Sequence, residues 1–163
     1  MSINNGPLMR QILLLPADKD RADIFQYLLK HHPGHRKFFK GHEEQDPEVM
    51  LEDPFWQVQG AAVWRKMRRL VELANEPSKF YKAPPLSITH TGTLYKDWGL
   101  QEVQQLIITH YYRNGMEPAD MCSLMCGYME SKGIQPAAEW TRFFNTLANI
   151  AEDCEACGYC LAY

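Results

Sequence analysis

Three cysteines, Cys154, Cys157 and Cys160, form a C-x2-C-x2-C run, and Cys122 and Cys126 stand four apart upstream. Soft thiolate sulfur suits zinc and iron–sulfur clusters, and two intervening residues let neighbouring ligands turn toward one ion. The spacing matches the start of an iron–sulfur run, but no fourth cysteine follows Cys160 before Tyr163. A fourth ligand would therefore come from Cys122 or Cys126, brought near by antiparallel pairing of the last two long helices. The competing expectation is structural. Positions 154, 157 and 160 share one side of a helix, as do 122 and 126, and free cysteine is among the most buried residue types. Buried thiols with no cofactor are the favoured expectation, with structural zinc or an iron–sulfur cluster against it.

His31, His32, His35 and His42 fall within twelve residues, with Glu43, Glu44 and Asp46 behind them. Imidazole and carboxylate groups can build a hydrolytic metal site, yet no rigid H-E-x-x-H pair is present. His31 and His32 sit where a helix should end, a place that favours imidazolium beside free carbonyls. His90 and His110 have no neighbouring partner in sequence that would make either a general base.

Two segments mix cations with aromatics. HRKFFK supplies Arg36, Lys37 and Lys40, and WRKMRRL supplies Arg65, Lys66, Arg68 and Arg69 on one predicted helix. Such mixtures can track phosphates or meet an acidic protein surface, and they also occur as solvated helix faces whose stems cover apolar neighbours. The acidic run of Glu43, Glu44, Asp46, Glu48, Glu52 and Asp53 follows closely. The two runs either pair with each other or face different partners.

The totals narrow the classes. Net charge is −3 over 163 residues, with 45% hydrophobic and 23% charged residues, as in ordinary globular proteins. Residues 1–82 carry 13 Lys+Arg against 11 Asp+Glu, hence +2, and residues 83–163 carry 4 against 9, hence −5. A protein binding nucleic acid over its whole surface is disfavoured. No apolar run is long enough to span a membrane, and the opening residues lack a basic leader, so the expected setting is the cytoplasm. The sequence has no Walker A loop, no G-x-G-x-x-G after a strand and no G-x-S-x-G.

The elements that must position these residues read as helices. Residues 1–9 look like a loose tail of turn formers. Asp18 or Asp20 should cap a helix carrying Ile24, Phe25, Leu28 and Leu29, stopped by Pro33-Gly34. Residues 35–53 read as an exposed connector. Asp53 and Pro54 then open the clearest helix, with Trp56, Val63, Met67, Leu70 and Ala74 on its core stripe and Asn75 and Pro77 ending it. Residues 76–97 break the pattern, and alternation there allows a small β-hairpin near residues 86–95. Three helices follow: one through Leu100 to Tyr111, one from Pro118 to Gly133, and one opened by Pro136 through Trp140, Phe143, Phe144, Leu147 and Ile150.

The predicted fold is mainly α, about five helices around one core. Residues 1–82 would form an N-terminal helical lobe, and 83–163 a linker plus a three-helix lobe with all the cysteines, together one compact domain. The expected function is that of a non-enzymatic cytosolic binding protein, a regulator or inhibitor that occupies a surface of a larger protein partner. By analogy of size and motif poverty alone, it fits an accessory protein of a phage or plasmid. The alternative is a nucleic-acid-associated regulator with a zinc or iron–sulfur site in the C-terminal lobe.

Overall fold

The computed structural model describes residues 3–15, 21–74, 110 and 114–156, with backbone only for 150–156. The chain is mainly α-helical: five α-helices, two 3-10 helices and no strand among the described residues. The α-helices are α1 (Asn5–Leu14), α2 (Asp23–His31), α3 (Pro54–Ala74), α4 (Pro118–Ser131) and α5 (Glu139–Ala156). The 3-10 helices, Pro33–Phe38 and Pro47–Glu52, lie between α2 and α3.

The expected N-terminal tail is instead helix α1. Asn4 caps it, its Oδ1 accepting from Gly6 N at 3.1 Å. Gly6 and Pro7 look like turn formers but fall in the first turn, where backbone N–H groups have no intrahelical partner and proline costs nothing. Tertiary bonds hold the helix. Asn5 Nδ2 donates to Val71 O at 3.1 Å. Gln11 Oε1 accepts from Ala137 N at 3.0 Å and from Trp140 Nε1 at 2.8 Å, clamping α1 to the start of α5.

Helix α2 starts at Asp23 with Ala22 as N-cap and no side-chain cap, and the expected caps Asp18 and Asp20 lie outside the described residues. Its stripe of Ile24, Phe25, Leu28 and Leu29 is buried. The expected connector after it is folded. Arg36 Nη1 donates to Glu43 O at 3.0 Å and to Gln45 O at 2.9 Å, and Met50 is fully buried. Lys30 pairs with Glu48 at 2.5 Å, so part of the opposite-charge pattern does close locally.

Asp53 caps α3, accepting from Phe55 N at 2.8 Å, with Pro54 at the first helical position. Trp56, Met67, Leu70 and Ala74 are buried, and Val63 is partly so. Gly60 allows close contact with the turn that leads into α2: a Cβ there would lie 1.9 Å from Arg21 O.

Helix α4 starts at Pro118 and ends at Ser131 with Lys132 as C-cap, followed by Gly133, whose φ of 72° is left-handed. Ile134 N bonds Met129 O and Gly133 N bonds Glu130 O, both at 2.9 Å, satisfying carbonyls the helix end leaves open. The chain then turns into α5, which packs against α4 with Trp140, Phe143, Phe144 and Leu147 buried. Asp23 joins this pair to α2, accepting from Tyr128 Oη at 3.2 Å and pairing with Lys132. The buried cluster draws on α1, α2 and α3 as well as α4 and α5. The expected hairpin near residues 86–95, the helix end at Asn75 and Pro77, and most of the helix expected through Leu100 to Tyr111 lie outside the described residues.

Candidate functional site

The two cationic segments end in different surroundings. In the first, Arg36 is half-buried and its guanidinium is committed to the loop carbonyls of Glu43 and Gln45. Lys37 is exposed, its Nζ 5.1 Å from the Phe38 ring centre, and Lys40 is exposed. The segment is anchored by Phe39, whose ring lies 4.8 Å from that of Trp56 and 5.5 Å from that of Phe25.

The second segment begins roughly 14 Å further along α3, nine residues beyond Trp56 at about 1.5 Å each. Arg65, Arg68 and Arg69 are exposed and Lys66 is half-buried. Arg68 Nε lies 3.3 Å and Arg69 Nη1 3.8 Å from the Glu72 carboxylate, so these two arginines and Glu72 form one surface ion-pair group. Steps of four, three and four carry one row through Val58, Ala62, Arg65 and Arg69. Val58 is 65% exposed, an apolar start to a row that ends basic. This row faces away from the buried stripe of the same helix.

Behind the row, the start of α3 is fixed by a polar knot. Gln45 Oε1 accepts from Trp56 Nε1 at 2.7 Å and lies 3.1 Å from His42 Nδ1, while Gln45 Nε2 donates to Asp53 at 2.5 Å. An indole can only donate, which sets the amide's orientation and makes His42 Nδ1 the protonated nitrogen. His42 stacks on Phe55 with centres 3.8 Å apart. The Gln45 and Phe55 bonds hold the Asp53 carboxyl below its usual value, against a smaller desolvation effect and with help from His42.

The described histidines fall in separate surroundings. His31 closes α2 with its ring 4.3 Å from that of Tyr27, His32 is the C-cap, and His42 belongs to the knot. Among the described residues no three of His, Cys, Asp and Glu are grouped to hold an ion. Cys122 and Cys126 are partly buried on α4 beside the core. Burial first, and then Cys122, pushes the Cys126 thiol up to about 12. Cys157 and Cys160 lie outside the described residues, as does the side chain of Cys154.

One feature carried no sequence signal. A cleft of about 390 Å³ separates the end of α2 and the first 3-10 helix from the start of α4. His32, His35, Lys37 and Phe38 form one side, and Asn114, Asp120 and Ser123 contribute the other. The two walls are about eighty residues apart in the chain, so only the histidine-rich one stood out in the sequence.

Comparison with protein-family models, characterised proteins and solved structures gave no match. Among the described residues no helix is long and apolar enough to cross a membrane.

Proposed function

We propose that this chain is a non-catalytic binding protein, a regulator or inhibitor that occupies an acidic surface of a larger protein partner through the exposed face of α3. The observation that carries this reading is the row Val58, Ala62, Arg65, Arg69, exposed or half-exposed along a helix whose opposite face is deeply buried. A rigid helix presenting an apolar start and a basic end fits a partner groove with the opposite order of charge. Glu72 pairs with Arg68 and Arg69 and would be displaced, or shared, when partner carboxylates arrive. The polar knot at Gln45 favours such a role, because it fixes the base of the presenting helix and spends Arg36 internally. We further propose a cytosolic setting and, by analogy of size alone, an accessory role in a phage or plasmid.

The test is comparative copurification from native extract with wild-type protein, Arg65→Glu and Arg69→Glu, each checked by circular dichroism. Loss of the same specific partner from both folded variants supports the reading. Recovery of identical partners by all three proteins removes the α3 face. Recovery that depends only on nuclease-sensitive nucleic acid reassigns the cations.

A further inference from the structure

The cleft between the first 3-10 helix and α4 is independent of the α3 face, and its chemistry is different. We propose that it binds a small organic anion, a carboxylate or phosphate carried on an apolar body.

The cationic wall carries the argument. His32 and His35 lie edge to face with ring centres 5.9 Å apart, and His35 meets Phe38 in the same way at 5.8 Å. Lys37 stands over Phe38, so its ammonium and the two imidazoles line the same side of the cleft. Among the described residues none of these three groups is paired with a carboxylate, whereas Lys30, Arg68 and Lys132 each have one. An imidazole offers at least one N–H donor in either protonation state, and the ammonium adds three. Donors that share one wall of a cleft, with no acceptor among the described residues, suit an oxyanion.

The remaining lining defines the rest of the ligand. Leu28, Met116 and Leu124 supply an apolar floor. On the far wall, Asp120 already accepts from Glu117 N at 3.2 Å and Ser123 Oγ donates to Ala119 O at 3.0 Å, so both present acceptor lone pairs. An anion at the histidines, an apolar group on the floor and an N–H toward Asp120 describe an acylated amino acid, and an aryl phosphate meets the first two of these. A volume of about 390 Å³ accommodates either.

The experiment is amide NMR titration of the full chain with three probes: N-acetylphenylalanine, phenyl phosphate, and N-acetylphenylalaninamide, which keeps the body but lacks the charge. Saturable shifts at Gly34 and Gly115 with either anion and not with the amide are expected, and the anion that binds distinguishes carboxylate from phosphate. Lys37→Gln and His35→Gln should each weaken binding roughly tenfold or more, the loss of one charge-assisted bond. Arg10→Gln, on α1 away from the cleft, should leave it unchanged. Equal binding of the amide, unaltered affinity in both cleft variants, or no saturable shift at millimolar anion would each overturn the proposal.

Discussion

Trp56 Nε1 donates to Gln45 Oε1 at 2.7 Å, tying the buried start of α3 to the irregular segment before it. Trp56 is fully buried, so its N–H cannot turn to water if that acceptor is lost. Gln45→Leu should therefore cost about 1–3 kcal/mol, the penalty for an orphaned buried donor. Urea denaturation checks this as a lower midpoint with an unchanged slope. An unaltered midpoint would mean that the knot does not hold the base of the helix.

Asp53 gives the knot a pH signature. Its folded pKa lies below the ordinary carboxyl value, because Gln45 and the Phe55 N–H bind the ionised form. A depressed folded pKa stabilises above the unfolded pKa, and that stability is lost as pH falls through the folded value. Unfolding free energy should thus decline as pH drops below about 4. Asp53→Asn, which keeps a capping oxygen, should flatten that decline in a pH series of urea melts.

Two helical glycines separate by what they face. A Cβ at Gly60 would lie 1.9 Å from the backbone oxygen of Arg21, whereas at Gly127 it would meet the Tyr27 hydroxyl at 2.5 Å. Backbone cannot step aside, but the end of a tyrosine can. Gly60→Ala should destabilise by about 1–3 kcal/mol despite the better helix propensity of alanine. Gly127→Ala should be close to neutral, since that propensity offsets a small tyrosine shift. Thermal melts of the two variants should separate accordingly.

The regular helices were the legible part of this fold. Asp53-Pro54 and Pro118 mark helix starts, Gly133 marks an end, and the stripes of α2 and α3 repeat at helical spacing. Helix α1 was hidden, because Asn4, Gly6 and Pro7 favour turns and its stability comes from Asn5 and Gln11 reaching residues far along the chain. The segment 35–53 was hidden for a related reason: side-chain bonds from Arg36 and Gln45 to the backbone and to Trp56 shape it, and these leave no periodicity. The basic face of α3 was visible as composition, but the ion pairs to Glu72 and the internal role of Arg36 were not. The far wall of the cleft is ordinary helix-start sequence that becomes a wall only after folding.

Cys126 should behave as a partly buried, protonated thiol. With its pKa pushed up to about 12, little thiolate exists near neutral pH. Iodoacetamide should modify it far more slowly in the native protein than in urea, as read by peptide mass spectrometry. Rapid native alkylation would point to an activated thiol.

The central claim is that the outward row of α3 meets a partner. A photo-crosslinking benzophenone residue placed at Ala62, and separately at Asn145 on the exposed side of α5, tests it most directly in native extract. A discrete crosslinked partner from position 62, absent from position 145 and abolished by Arg65→Glu, is the predicted result. Crosslinks from position 145 with none from position 62 would contradict the account.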